Sequence, residues 1–298
     1  MPLFRAAFFA AYNGCEVKEM QSCLKILPLV MAGVIVLGGS ASACTLWAAA
    51  GNVVEGGGTL IAKNRDWRPD HQQKLELVMP KEGYRYYGIY ADNGRYKGLK
   101  AGINEEGLTV VSASASSIPR KERNQMKHSG AVMRKVLSQC ATVEEAATLL
   151  SHMYGPQFLL LADRNEIAQV EIGPAGTRDI RIIREGTLFH TNHYVAEDLS
   201  DFNILRNKSS HVRLIRIGDL LAAADKPYTM ETFEAMSHDR HDGPDDSIER
   251  TGSSEKAERT LASWIVAIPR EGTPHIHVRL MNPGAPVEEK DLSADDIF

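Results

Sequence analysis

Strand runs alternate with pairs of helices along this chain, and no other feature restricts its fold as much. Strand-forming stretches occupy 59–62, 75–78, 85–90, 99–103 and 108–114. Asn104-Glu105-Glu106-Gly107 divides the last two and predicts a hairpin, with glycine closing the turn. Val132, Val136 and Cys140 then recur at helical spacing. Thr142 and Glu145, three apart, predict a capping box that opens a second helix through Leu150. Strands return at 158–161 and 167–172, around Asp163-Arg164-Asn165-Glu166, and at 180–183 and 187–192, around Glu185-Gly186. Val212, Ile215 and Leu220 predict a helix over 212–224, and Thr229 caps another to about Met236. Residues 238–258, rich in Asp, Gly and Ser, read as a loop before strands at 261–268 and 275–280. Gly56-Gly57-Gly58 reads as a hairpin turn. Strand runs separated by helix pairs predict an α+β fold, two sheets packed face to face with helices outside.

The amino-terminal part reads as an export leader. Lys25 precedes an apolar stretch over 26–37, then Gly38-Gly39-Ser40 and Ala41-Ser42-Ala43, a small-residue ending at which a signal peptidase cuts. The stretch is short for a spanning helix, which needs ~20 apolar residues. The expectation is that 1–43 leave, with Met20 the natural start of translation. Residues 44–298 then remain as one domain with no stable membrane span, in the periplasm or outside the cell. In the uncut chain, 1–43 are expected to pack poorly apart from a helix over the apolar stretch.

A cut after Ala43 makes Cys44 the first residue. Nucleophile and candidate base, the thiol and the α-amine, then sit on one residue. A free thiol has a pKa near ~8.5 and an α-amine near ~8, so the amine accepts the thiol proton around neutral pH. In an uncut chain that nitrogen is an amide and no base. A competing reading makes Cys44 the lipidated residue of a non-catalytic envelope protein. That signal favours leucine three residues earlier, where Ala41 stands. Lipidation consumes the thiol and the amine, so the two readings exclude each other.

The remaining composition narrows the chemistry. Of the four cysteines, Cys15 and Cys23 fall in the leader, and Cys140 follows Val132, Met133, Val136 and Leu137 as a small buried hydrophobe. No disulfide framework is expected. A net charge of −4 gives no reason to expect nucleic acid. His190 and His193, and His275 and His277, lack acidic or cysteine partners at metal-ligand spacing, so no metal is expected. No phosphate-binding loop or dinucleotide fingerprint appears, and no cofactor is expected.

Five motifs stand in order: Cys44-Thr45, Asn64-Arg65-Asp66-Trp67, Gly102 to Leu108, His190-Thr191-Asn192-His193, and Ser209-Ser210 followed by Arg213 and Arg216. Together, over most of 44–283, they resemble the choloylglycine hydrolase and penicillin acyltransferase group of N-terminal-nucleophile hydrolases. The resemblance implies a four-layer αββα sandwich. It implies that Cys44 attacks a linear C–N amide of a small N-acyl substrate through an acyl-enzyme thioester, resolved by water or by an amine acceptor. Asp66 resembles the aspartate that steadies the ammonium or thiol, Asn192 the oxyanion donor, and Arg213 an arginine that orders the nucleophile. Lys63 stands where the bile-salt branch has arginine. That branch's second asparagine falls on Ser114. Arg65 is expected on the strand face opposite Asp66. The thiol is expected near the Asp66 carboxylate, the Asn192 amide and the Arg213 guanidinium. Which amide is used, whether hydrolysis or acyl transfer prevails, and whether the chain forms homo-oligomers are left open.

Overall fold

The computed structural model describes residues 43–298, so the readings made on 1–42 lie outside the described residues. Ala43, the last residue of the predicted leader, is buried at 1% exposure. The first seven strands are β1 (Cys44–Ala50), β2 (Thr59–Trp67), β3 (Gln72–Val78), β4 (Tyr86–Asp92), β5 (Lys97–Asn104), β6 (Thr109–Ser114) and β7 (Gln157–Ala162). Six follow: β8 (Ile167–Ile172), β9 (Arg178–Ile183), β10 (Gly186–His190), β11 (Arg259–Ile268), β12 (His275–Leu280) and β13 (Glu288–Ser293). Of the helices, α1 (Arg120–Arg123), α6 (Gly243–Asp246) and α7 (Ala294–Ile297) are single turns. The others are α2 (Val132–Gln139), α3 (Val143–Leu150), α4 (Lys208–Ala223) and α5 (Met230–Ser237).

Two antiparallel sheets result. One has the order β10-β1-β2-β11-β12-β13, the other runs β3 to β9 in chain order. Alternation along β1 decides the layering. Leu46, Ala48 and Ala50 enter a core shared with Ile103, Val111 and Leu160 of the second sheet. Trp47 and Ala49 point the other way, onto Ile217 and Leu221 of α4 and Phe233 of α5. Val110, Leu159 and Leu161 of the second sheet cover Val136 and Leu137 of α2 and Ala146 of α3. Helices, sheet, sheet and helices therefore stack as four layers, the αββα sandwich. Each large apolar side chain withdrawn this way contributes roughly 1.5–3 kcal/mol.

Local signals explain most boundaries. Asn104 accepts the Gly107 amide at 2.9 Å, and Gly107 has φ +86°, closing the expected hairpin. The Thr142 hydroxyl accepts the Glu145 amide at 3.2 Å, but the Glu145 carboxylate reaches the Ala141 amide rather than that of Thr142. The full capping box occurs instead at Thr229 and Thr232. Helix α4 starts at Lys208, earlier than expected, because the Asn207 side chain accepts the Ser210 amide. The strand expected over 187–192 stops at His190, which leaves Asn192 just past its end. Strands β1 and β13 escape the sequence pattern for opposite reasons. All seven residues of β1 are buried, and β13 is a charged, largely exposed edge.

Candidate active site

Cys44 opens β1, which lies next to the edge strand of the first sheet, between β10 and β2. Its backbone is gripped from the helix side. Its N–H donates to Asn192 Oδ1 at 2.8 Å, and its carbonyl accepts from Arg213 Nη1 at 2.7 Å. Arg213 Nη1 also reaches Thr45 Oγ1 at 2.9 Å, Nη2 reaches Asn192 Oδ1 at 3.1 Å, and Nε reaches Ser209 Oγ at 3.3 Å. The guanidinium is fully buried. Burial pulls it down to about 10, which keeps it cationic at neutral pH.

Asn192 is fixed by what it must satisfy. Its Oδ1 takes the two donors just named, and its Nδ2 donates to the Ser114 carbonyl at 3.0 Å. That pattern sets the amide orientation and leaves one Nδ2 hydrogen. The Asn192 backbone amide donates to Ser210 Oγ on α4 at 2.9 Å, and the same hydroxyl meets His193 Nδ1 at 2.7 Å. Behind this segment stands Glu171 of β8. It meets His190 Nε2 at 2.9 Å and accepts the amides of Val195 and Ala196, so one buried carboxylate ties both flanks of Asn192. His190 Nδ1 faces the Thr191 carbonyl at 3.0 Å and so carries hydrogen there.

Asp66 meets Cys44 by a different route. Its amide donates to the Ala43 carbonyl at 3.1 Å, on the peptide that joins Ala43 to Cys44. Its carboxylate lies on the helix side of β2, with Oδ1 accepting from Thr260 Oγ1 at 2.8 Å and Oδ2 buried without a hydrogen-bond partner among the described residues. Burial, against the pull of Arg250 and Arg213, pushes Asp66 up to about 6. Alternation puts Arg65, not Asp66, on the face that carries the Cys44 side chain. Cys44 pairs with Arg65 and Leu46 with Lys63 across β1 and β2.

The thiol opens into a cavity of about 610 Å³. Lys63, Arg65, Lys100, Ser112 and Ser114 are in its wall, whereas Asp66, Asn192 and Arg213 are not. The Lys63 ammonium donates to the carbonyls of Lys100 and Ser112, bridging to the second sheet. Arg216, one turn beyond Arg213, pairs with Asp239 through Nη2 at 2.6 Å. His277 pairs with Asp291 at 2.7 Å. Cys140 is a free buried thiol against α2 and α3, pushed up to about 11 by burial.

The structure thus brings Cys44, Asn192 and Arg213 into direct contact, joins Asp66 through the backbone, and uses the Ser114 carbonyl as a rest for Asn192. Sequence reasoning missed Lys100 and Glu171. Each is a charged residue in the interior of a strand, which was the only signal of it.

The profile of the acyl-coenzyme A:6-aminopenicillanic acid acyl-transferase family matches residues 53–284. The chain belongs to this family. The match takes in Asp66, Ser114, Asn192 and Arg213 and begins downstream of Cys44. The family is one of acyltransferases and amide hydrolases of the N-terminal-nucleophile type. No curated protein sequence matches the chain. Among solved structures, two variants of the conjugated bile acid hydrolase of Clostridium perfringens are similar. One has 12% identity and a TM-score of 0.45, the other 13% and 0.46, each covering 85% of this chain and 93% of the other.

Proposed function

We propose that the chain is an exported N-terminal-cysteine enzyme. Once cut after Ala43, it would cleave linear amides of N-acyl compounds through a thioester on Cys44. The observation that carries this reading is the grip on the Cys44 backbone. Two side chains far away in sequence, Asn192 and Arg213, hold its nitrogen and carbonyl while its thiol faces an open cavity. An ordinary buried strand residue needs neither.

The steps follow from these positions. Cutting turns the Cys44 amide into an amine that still donates one hydrogen to Asn192 Oδ1. Its lone pair takes the thiol proton. Sulfur attacks the substrate carbonyl carbon, and the oxygen takes the negative charge. The remaining Asn192 Nδ2 hydrogen is available to that oxygen, a contribution typically of ~2.7–4 kcal/mol for one donor. The C–N bond breaks as the ammonium returns its proton to the leaving amine. Water, or a second amine, then attacks the thioester and sulfur departs. Arg213 keeps the nucleophile's backbone in place, and Asp66 balances the positive charge that the amine acquires.

The test compares chains beginning at Cys44 with the full chain, on a panel of N-acyl amides. Turnover is expected only from the cut form. Cys44→Ser in the cut form should lose nearly all of it while keeping the fold. Retention of more than about a tenth of the rate, under ~1.4 kcal/mol in barrier, would refute the nucleophile. A mass measurement of the exported protein separates a bare Cys44 from a lipidated one.

A further inference from the structure

The tip of the hairpin between β4 and β5 carries Asn93-Gly94, the one Asn-Gly pair among the described residues. Both residues are exposed, and Asn93 stands in the wall of the cavity that holds the Cys44 thiol. Three hydrogen bonds arrange this tip. Asn93 Oδ1 accepts the backbone amides of Arg95 at 3.1 Å and Tyr96 at 2.8 Å. The Gly94 amide donates to Asp92 Oδ1 at 2.8 Å. Gly94 has φ +80°, and a Cβ built on it would meet nothing within 4 Å, so the tip is open to water. A turn asparagine ordinarily takes the amides that follow it. Here that habit coincides with a carboxylate on the amide nitrogen next to the side chain. Two amides draw charge from Cγ toward Oδ1, as an oxyanion hole does, and a base holds the hydrogen that an attacking Gly94 nitrogen must lose. Lys74 of β3, 3.5 Å from Asp92 Oδ2, and Lys97 of β5 are the charges that face this carboxylate. The Gly94 amide, then the two lysines, hold it below the usual carboxylate range, so it is ionised from weakly acidic pH upward.

We propose that Asn93-Gly94 is a self-deamidation site, with Asp92 as base and the Arg95 and Tyr96 amides as oxyanion donors. The Gly94 nitrogen attacks Asn93 Cγ as its proton passes to Asp92, and negative charge gathers on Oδ1. The Cγ–Nδ2 bond then breaks, and Nδ2 leaves as ammonia with the proton that Asp92 held. The five-membered imide takes up water. Opening at Cγ leaves aspartate. Opening at the backbone carbonyl leaves isoaspartate, with the chain running through the side chain. Either product carries a carboxylate where a neutral amide stood, so this part of the cavity wall changes charge as the molecule ages. The proposal does not rest on Cys44 being the nucleophile.

Timed incubation of the full chain tests it, with a synthetic peptide of residues 88–98 as reference. Peptide mass spectrometry reads the gain of one mass unit at Asn93, and chromatography separates isoaspartate from aspartate. The folded chain should convert at least about tenfold faster than the peptide, a modest share of what a positioned base contributes. Between about pH 6 and 8 the peptide's rate rises with hydroxide, whereas the folded chain's should stay nearly level, because its base is already ionised. Asp92→Ser keeps a side-chain oxygen for the Gly94 amide and removes the base. Its rate should fall to that of the peptide and follow hydroxide. Asn93→Gln should block the reaction, since its ring would need one more atom. A folded chain that converts no faster than the peptide, or whose rate climbs with hydroxide as the peptide's does, overturns the proposal. So does an Asp92→Ser chain that converts at the wild-type rate.

Discussion

Asn192 serves two needs with one amide, and they can be separated. Its Oδ1 holds the Cys44 nitrogen, while its Nδ2 keeps one hydrogen, which the proposed mechanism assigns to the oxyanion. Asn192→Asp keeps the acceptor and removes the donor, whereas Asn192→Ala removes both. If oxyanion stabilisation dominates, both variants should lose about 10²–10³ in kcat with little change in KM. If holding the amine dominates, Asn192→Asp should stay within about tenfold of wild type. Steady-state kinetics on the cut chain decide between them. At this scale the sequence was legible where a residue sat in a motif, as Cys44, Asn192 and Arg213 do. It was silent on Lys100 and Glu171. A charge inside a strand says neither which face it takes nor which sheet lies opposite. The expected approach of the Asp66 carboxylate to the thiol was also too simple. Strand alternation turns that carboxylate to the helix side and brings Arg65 to the thiol's face instead.

Strand β2 is positioned by its entry turn. Gly56, Gly57 and Gly58 all take positive φ, but their surroundings differ. A Cβ on Gly58 would lie 2.3 Å from the Ile268 carbonyl and 2.8 Å from the Arg270 amide, both backbone, whereas one on Gly56 would meet nothing within 4 Å. Gly56→Ala should therefore cost only the left-handed backbone term, about 1–2 kcal/mol. Gly58→Ala should cost clearly more, because β11 must also shift. Urea midpoints of the two variants check this, and equal losses would mean that the contact with β11 is slack. Element order and the pairing of helices were readable from hydrophobic period. The missing strands were those without a period: β1, buried on both faces and rich in alanine, and β13, a charged edge. Neither shows the alternation of a half-buried strand.

Across the whole molecule, two buried groups set opposing pH dependences. Asp66 is pushed up to about 6 by burial, so between about pH 4 and 6 the folded chain keeps a proton that the unfolded chain releases. Its contribution to stability falls as pH rises through that window. His193 is held down to about 3 by burial and by His211, His190 and Arg213, so below about pH 6.5 the unfolded chain takes up a proton that the folded chain refuses. Its contribution falls as pH drops. The two slopes oppose each other over about pH 4–6. Relative to wild type, Asp66→Asn should gain stability as pH rises across this range, by up to ~3 kcal/mol at about 1.4 kcal/mol per unit. His193→Asn should gain as pH falls. Urea midpoints at constant ionic strength read both, and pH-independent differences would show that neither group is perturbed by folding. The bond between Ala43 and Cys44 has its own consequence at this scale. Ala43 is 1% exposed, Cys44 5%, and the Ala43 carbonyl is taken by the Asp66 amide. An outside peptidase needs this stretch extended and free, and it finds it so only in a chain that has not yet folded. Under the proposed cut, maturation is a race. If that cut activates the chain, a molecule that folds first keeps its amide and stays silent, and the active fraction reports the relative speeds of cutting and folding rather than the amount of protein made.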